Sequence, residues 1–366
     1  MGSDFISKRI VDQLMNIGKD VVKEIKQNKV PHMNIPIRST SNIVYDEKNL
    51  CYILGNREFS RSAGNIRHIK KMTQLVKVAD FSKQLVKEGT RHVTKRELYY
   101  ISESWGEKLK FDEQPESDEI VEDIEAMISE PREAINIIPN PKGSIYGDIA
   151  MRFKNPKGKM MTVNCLDTAD GQQIGPRMTE AEFAKTSANI IIAIETTGMY
   201  NRLIEENAHE KFNALLINLG GQASRSTRRI IKRLNEELKL PVYIFCDADP
   251  FGLHIATVII SGSAKSAHVN KHLCTPRAQW IGVTATDIIE YKLRSDKLRD
   301  LDIKRIKELQ VDPRYEKDKR LQQELKVWLK IGRKAEQQAI LRYGFEFVVD
   351  KYLPAKLKEL KAPGIR

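Results

Sequence analysis

Cysteine is scarce in this chain of 366 residues: Cys51, Cys165, Cys246 and Cys274 stand far apart, with no CxxC pair. That spacing argues against the usual zinc sites and against a disulfide framework, and fits a reducing compartment. No run of about 18 apolar residues occurs, so no transmembrane helix is expected. The opening MGSDFISKRIVD lacks the apolar core of a secretory signal, and a cytoplasmic protein is expected. Neither a GxxxxGK run nor a Rossmann glycine fingerprint is present, so no nucleoside-triphosphate site is expected within this chain.

What is present is charge. Charged residues make up 30% of the chain and the formal net charge is +12. Residues 111–125, FDEQPESDEIVEDIE, hold eight acids and no base, which leaves 61 bases against 41 acids elsewhere. A basic surface without membrane features points first to nucleic acid. The length predicts two or three domains.

Ile6, Ile10, Leu14, Ile17, Val21 and Ile25 recur at helical spacing and predict an amphipathic helix ending before Pro31. Its apolar face could serve the chain's own body or a partner. Ile43–Tyr45 and Cys51–Leu54 predict a small hairpin, and a loop rich in Arg, Ser and Gly follows it. Ile69, Met72, Val76, Ala79 and Val86 form a second helical stripe, closed by Gly89. With the helix from Thr94 this makes a helix-turn-helix. Next come an acidic helix over Asp118–Ser129 and a hairpin of Ala134–Ile138 and Ile145–Phe153, placed as a wing. From Ala188 strands and helices alternate: Ile190–Ile194, Ala214–Leu219, Val242–Cys246 and Trp280–Val283 read as buried parallel strands. The fold class expected is mixed α/β, a winged-helix module followed by a doubly wound α/β domain with C-terminal helices. The expected divisions are residues 1–65, 66–155, 156–187 (a connecting hairpin or linker) and 188–366.

Two of these strands end in acid. NIIIAIETTG places Glu195 just past its apolar run, and VYIFCDADPFG places Asp247 and Asp249 at the next tip but one. In extended chain, i and i+2 project to one side, about 6–7 Å apart. Paired carboxylates repel unless a cation sits between them, and oxygen-only donors select a hard ion, Mg²⁺. The remaining strand ends in NLGGQASRSTRRIIKR, where Arg225, Arg228, Arg229 and Lys232 follow a glycine turn at a helix N-terminus. These four, with Lys142, Gly143 and Ser144 of KGSIYG, are the candidate DNA contacts. A solvated basic face explains the helix equally well.

TKRELYYISESW, from Thr94 to Trp105, begins with the spacing of a capping box between Thr94 and Glu97. Leu98, Ile101 and Trp105 share the expected core face, while Tyr99 and Tyr100 fall roughly 120–140° from its centre. Arg96 and Tyr100 are i, i+4 neighbours on the outer side. The wheel leaves the two tyrosines nearly equal, and a surface phenol over an arginine stem would give the same pattern.

Taken together, RELYY, KGSIYG, IETTGMY, GGQASRSTRR and CDADPFG, in that order, resemble the A subunits of archaeal type IIB DNA topoisomerases (topoisomerase VI). That family is similar to the eukaryotic meiotic double-strand-break protein. The resemblance runs from about Arg67 to the C-terminus and implies a Toprim domain holding Mg²⁺ through Glu195, Asp247 and Asp249. It implies Tyr100, the second tyrosine of RELYY, as nucleophile, Arg96 at the scissile phosphate, and Glu195 as ligand or acid/base. It further implies double-stranded DNA as substrate, a homodimer, and an ATPase B subunit completing an A2B2 complex in the nucleoid, with ATP bound by that partner. The N-terminal helix is then the expected docking element. Rival readings are a transesterase that cuts without religating, a non-catalytic winged-helix DNA-binding protein, and another Toprim enzyme such as a primase or nuclease.

Overall fold

IIIAI at residues 190–194 is buried at every position, the condition of a β-branched run covered on both faces. The computed structural model describes residues 2–363 apart from Thr90, Pro156 and Lys317, with side chains from residue 7 onward. Ile6 of the N-terminal stripe therefore lies outside the described side chains. Two compact units result: residues 1–44, 52–140 and 264–272 form one, and 45–51, 141–263 and 273–366 the other. Among the described residues no helix is long and apolar enough to cross a membrane.

The first unit is built on α1 (Gly2–Lys26), β1 (His32–Pro36), β2 (Ile43–Asp46), β3 (Cys51–Leu54), β4 (Glu58–Ser62) and α2 (Ile66–Glu88). It continues with β5 (Val93–Thr94), α3 (Lys95–Ser102), α4 (Gln114–Ile128) and β6 (Ile137–Ile138). Ile10, Leu14 and Ile17 of α1 enter its core beside Leu75 and Val78 of α2, Leu98 of α3, and Ile120 and Ile124 of α4. The N-terminal helix thus serves the chain's own body along this face. Gly89 ends α2 at φ +70°, the left-handed cap that glycine permits. Ile69 of the expected α2 stripe is exposed, while Met72, Ala79 and Val86 are buried.

The acidic helix starts four residues earlier than its sequence limits, at Gln114, because Pro115 supplies a first-turn φ without needing its missing N–H. The acids of this segment, Asp112 just ahead of the helix included, are absorbed by bases of the same unit. Asp123 meets Arg61 at 2.8 Å and Arg38 at 2.9 Å; Glu119 meets Lys71 at 2.7 Å; Asp112 meets Lys70 at 2.6 Å. Lys95, the first residue of α3, reaches Asp118 at 3.0 Å and Glu122 at 3.3 Å. The excess of bases inferred by setting this segment aside is therefore smaller than the composition implies.

The second unit opens with β7 (Ser144–Tyr146), β8 (Ile149–Lys154), β9 (Met160–Asn164), β10 (Gln172–Gln173) and β11 (Glu182–Thr186). Then come β12 (Ile190–Ile194), α5 (Thr197–Glu205), α6 (Ala208–Lys211), β13 (Ala214–Asn218), α7 (Arg225–Glu237), β14 (Val242–Phe245), α8 (Pro250–Ser261) and β15 (Gln279–Gly282). The chain closes with α9 (Ala285–Glu290), β16 (Asp296–Lys297), α10 (Asp300–Gln310), α11 (Lys319–Ile331), β17 (Arg333–Lys334) and α12 (Leu353–Glu359). The main sheet has the order β10-β7-β13-β12-β14-β15. Its β13-β12-β14-β15 portion is parallel and β7 is an antiparallel neighbour of β13. Side chains alternate between two cores. Ile191 and Ala193 face α7, α8 and Trp328, while Ile190, Ile192 and Ile194 face Tyr200, Leu203 and Tyr352.

The wing hairpin expected over Ala134–Phe153 does not form. Ile137–Ile138 pairs in parallel with Val93–Thr94, Ser144–Tyr146 joins β13 and β10, and Ile149–Lys154 pairs with β9 and β11. Pro139 and Pro141 separate the two pairings; β6 and β7 find partners remote in sequence, while β8 pairs with the next strand, β9, as well as with β11. Residues from Pro141 on therefore group with the second unit rather than with residues 66–140.

Asp123 is 2% exposed and holds two arginines. Asp123→Ala should lower the unfolding free energy by about 3 kcal/mol, since a buried pair broken on one side leaves uncompensated charge. Chemical denaturation measures this; a loss well under 1 kcal/mol would show the network to be mere surface pairing.

Candidate functional site

Glu195 and Asp247 come together because the strands before them are neighbours. β12 pairs in parallel with β14, Ile194 opposite Phe245, and β13 lies on the other side of β12. The chain thus reverses its direction of winding at β12, and in such sheets a crevice opens at the carboxyl ends. Glu195 N donates to Phe245 O at 2.9 Å, and Asp247 N donates to Glu195 Oε2 at 2.9 Å. Asp249 caps α8, accepting from Gly252 N at 2.6 Å. A Cβ on Gly252 would stand 2.5 Å from the Asp247 carbonyl and 3.1 Å from Glu195 Oε2, so only glycine lets α8 begin here. On the far side Gly220 (φ +62°) and Gly221 (φ +81°) turn the chain after β13, and Gly221 N donates to Glu195 O at 2.8 Å.

Burial, then the Asp247 carboxylate, pushes Glu195 up to about 7. Burial first, and among the neighbouring charges Asp249 and Glu336, push Asp247 up to about 6 against the pull of a Gln337 hydrogen bond. Among the described residues, no three His, Cys, Asp or Glu side chains are drawn together tightly enough to cage an ion. Each carboxylate instead gives one oxygen to a backbone amide: Glu195 to Asp247, Asp247 to Gln337 at 2.9 Å, and Asp249 to Gly252. The second oxygens of the three are hard donors beside like charge that a cation would relieve, that of Asp249 also lying 3.8 Å from Lys334 Nζ. The set fits an ion that keeps part of its water shell and takes few protein ligands, the habit of Mg²⁺ rather than of zinc.

A further segment of this crevice gives little sign of itself in the sequence, which beyond Asp287 reads as mostly charged helix. Residues 333–338, RKAEQQ, run as β17 and a 3₁₀ turn beside the DAD tip, and Ala335 exchanges backbone hydrogen bonds with Ala248. Gln337 Oε1 accepts from Thr196 Oγ1 at 3.0 Å, and Gln338 Nε2 donates to the same hydroxyl at 3.0 Å. Thr196 also caps α5, so the residue next to Glu195 is held from both sides. The only signal in the sequence was a polar stretch lodged between the apolar anchors Trp328 and Ile340.

In the first unit, both halves of the predicted capping box form: Glu97 N donates to Thr94 Oγ1 at 3.1 Å and Thr94 N to Glu97 Oε2 at 2.6 Å. α3 ends at Ser102, and Trp105 follows in a 3₁₀ turn against Phe81 and Phe111. The tyrosines that the wheel could not separate differ here. Tyr99 packs against the core, whereas Tyr100 is 54% exposed with the Arg96 guanidinium 6.0 Å from its ring centre.

The candidate DNA contacts mostly have protein partners. Arg228 is buried, Arg229 pairs with Glu180 at 2.9 Å, and Lys232 pairs with Glu236 at 2.7 Å and Cys274 O at 3.2 Å. Arg225 begins α7. Lys142 donates to Gln222 O at 3.1 Å, and its carbonyl accepts from Thr227 Oγ1 at 2.7 Å. Gly143 (φ +88°) spends its freedom within the protein, since a Cβ there would lie 2.5 Å from Asn218 O. Ser144 is taken up by β7.

Comparison with known proteins agrees in extent with these two regions. The family model for the Toprim domain of the topoisomerase 6 A subunit and Spo11 matches residues 190–357, and the model Type IIB DNA topoisomerase matches residues 70–137. The A subunit of type 2 DNA topoisomerase 6 from Methanothermobacter thermautotrophicus is 46% identical over 353 residues, covering 96% of this chain and 98% of that one. The protein of the same name from Archaeoglobus fulgidus is 38% identical over 358 residues, covering 97% and 98%. That of Halobacterium salinarum is 38% identical over 353 residues, covering 95% and 96%.

Both acids with raised pKa cost the folded state more as they ionise, so without a cation stability falls as pH rises from about 4, the unfolded value, through about 6 and 7. A bound cation reverses that cost. Added Mg²⁺ should therefore raise the melting temperature more at about pH 8 than at about pH 5. Equal rises at both pH values, read by differential scanning fluorimetry, would remove the cation from this crevice.

Proposed function

The chain belongs to the family of topoisomerase 6 A subunits, and from that membership we propose which of its residues cut DNA. It is the DNA-cleaving subunit of a type IIB DNA topoisomerase. Tyr100 is the nucleophile, Arg96 steadies the scissile phosphate, and Glu195, Asp247 and Asp249 hold Mg²⁺. The observation that carries the choice of Tyr100 is its exposure beneath Arg96, where Tyr99 is spent on the core.

The Tyr100 oxygen attacks a backbone phosphorus, the bond to the 3′-oxygen breaks, and the protein is left on a 5′-phosphotyrosyl end beside a free 3′-hydroxyl. A free phenol has a pKa of about 10, so attack near neutrality needs an acceptor for its proton and a cationic surrounding. Arg96 supplies the positive charge on the α3 side and shields the developing charge on the phosphoryl oxygens. Glu195 is assigned as a ligand of the Mg²⁺ ion or as the acid/base group at the 3′-oxygen; burial and Asp247 push it up to about 7 only while no cation is bound beside it. Mg²⁺, when bound, supplies charge stabilisation at that leaving oxygen. The phosphotyrosyl bond stores the energy of the broken one, so resealing by the 3′-hydroxyl needs no ATP.

Nucleophile and acids lie in different units of the chain, consistent with a homodimer in which one protomer's tyrosine serves its partner's Toprim acids. The winged-helix character of residues 66–155 is retained for α2, α3 and α4 without the expected wing. The division into partner-docking (1–65), tyrosine (66–155), connecting (156–187) and Toprim (188–366) regions is proposed in this functional sense, residues 141–155 being packed in the second unit. Residues Lys142, Gly143, Ser144, Arg225, Arg228, Arg229 and Lys232 would act on DNA mainly by shaping the mouth of the crevice, since most are tied to protein groups. ATP-driven strand passage falls to a separate B subunit in an A2B2 complex, a nucleoid-associated machine of the cytoplasm.

The B subunit is assigned to the outer flank of α1. A groove of about 700 Å³ there is lined by Leu14, Met15, Val22 and Val76 and edged by Lys19, Lys23, Lys26 and Lys83. Because α1 also supplies core residues, point substitutions test this better than truncation. Val22→Asp should weaken B-subunit binding roughly tenfold in a pull-down or titration without lowering the melting temperature. Undiminished binding would sink the assignment.

Denaturing the protein with detergent after incubation with DNA, Mg²⁺ and a B subunit should yield protein covalently attached to 5′ ends, and Tyr100→Phe should abolish it. An adduct that survives in Tyr100→Phe, or moves only with Tyr99→Phe, refutes the nucleophile.

A further inference from the structure

Resting on the cation site just proposed, we infer that Lys334 is a further residue of the cleavage reaction, an ammonium set beside the carboxylates to receive a DNA backbone phosphate. Its Nζ lies 2.9 Å from Asp302 Oδ2 and 3.8 Å from Asp249 Oδ2, with the side chain 19% exposed. Asp302 is 1% exposed and is itself fixed, capping α10 through Arg299 N at 2.8 Å. The backbone exchange of Ala335 with Ala248 anchors the next residue to the DAD tip. This lysine is therefore held at both ends of its position: its backbone by the strand end, its ammonium by a buried acid.

The charge around it explains the need. Glu195, Asp247 and Asp249, with Glu336 close enough to act on Asp247, outweigh a single dication. A polyanion approaching that crevice is repelled unless another positive charge is present. Lys334 supplies one from within the same unit: it faces Asp249 and also works on Asp247. A plain structural pair between Lys334 and Asp302 would need no second acid at 3.8 Å and no residual exposure.

Two opposed effects follow when the charge is removed. Without the ammonium the carboxylates attract a divalent ion more strongly, while DNA loses a phosphate contact. Lys334→Met should bind Mn²⁺ several-fold more tightly in calorimetry on the full chain. With saturating Mg²⁺ and the B subunit present, it should form the 5′ adduct about tenfold less and need more DNA to do so. Lys334→Gln, which keeps a donor to Asp302, should behave alike, covering the case in which Lys334→Met folds poorly. Lys334→Arg should recover most of the adduct. A purely structural role lowers cation affinity, adduct and melting temperature together; that pattern, or an unchanged adduct in Lys334→Gln, overturns the inference. Wild-type protein and Tyr100→Phe in the same assay report separately on the parent reading.

Discussion

Two carboxylates forced together in a half-dry crevice are the constraint on which the second unit turns. Glu195 and Asp247 end adjacent parallel strands, so the sheet register itself sets their separation. Neither can move away without unpairing β12 from β14, and both resist ionisation. A fold that keeps such a pair gives up stability unless something outside the chain resolves the repulsion. Much of the surrounding sequence serves to hold the pair open to that partner. Gly252 removes a side chain that would strike both residues, Gln337 lends an amide to Asp247, and the glycine turn after β13 lends one to the Glu195 carbonyl.

The tyrosine helix is organised by the opposite logic, attraction rather than repulsion. Lys95, inside the Thr94–Glu97 capping box, ties the start of α3 to Asp118 and Glu122 of α4. Leu98 locks the inner face. With the base of the helix fixed twice and one face buried, Tyr100 is left as the projecting group. The acidic segment reads, from composition alone, as a region apart from nucleic acid. In the folded unit it is a scaffold that orders Arg38, Arg61, Lys70, Lys71 and Lys95.

What the sequence disclosed was whatever is encoded locally. The four parallel strands, the acids at their tips, the Gly89 cap and the Thr94–Glu97 box all depend on residues within a few positions of one another, and all are present. The failures share a cause. Ser144–Tyr146 looks like one arm of a hairpin because strand propensity says nothing about the partner, and its partner β13 lies some 70 residues on. A wheel likewise cannot say which face of α7 meets the sheet, where Arg228, a candidate DNA contact, is buried. RKAEQQ shows no period at all, and its importance comes only from ending up beside Asp247 and Thr196.

These same misreadings bear on how DNA is held. Seven of the bases counted toward a nucleic-acid surface are engaged: five by the acidic segment, and Arg229 and Lys232 by glutamates of their own unit. Surface pairs of this kind are weak, worth about 0–1 kcal/mol each, and exchange readily for a phosphate. The ones that cannot exchange are the buried ones, Arg38 and Arg61 with Asp123. Net charge therefore overstates the affinity available, whereas position decides where it is used. A lysine steadied by Asp302 at the rim of the acid crevice does more to admit a phosphate there than many lysines elsewhere, because Coulomb attraction at a few ångströms in a partly dry site exceeds that across a salted surface.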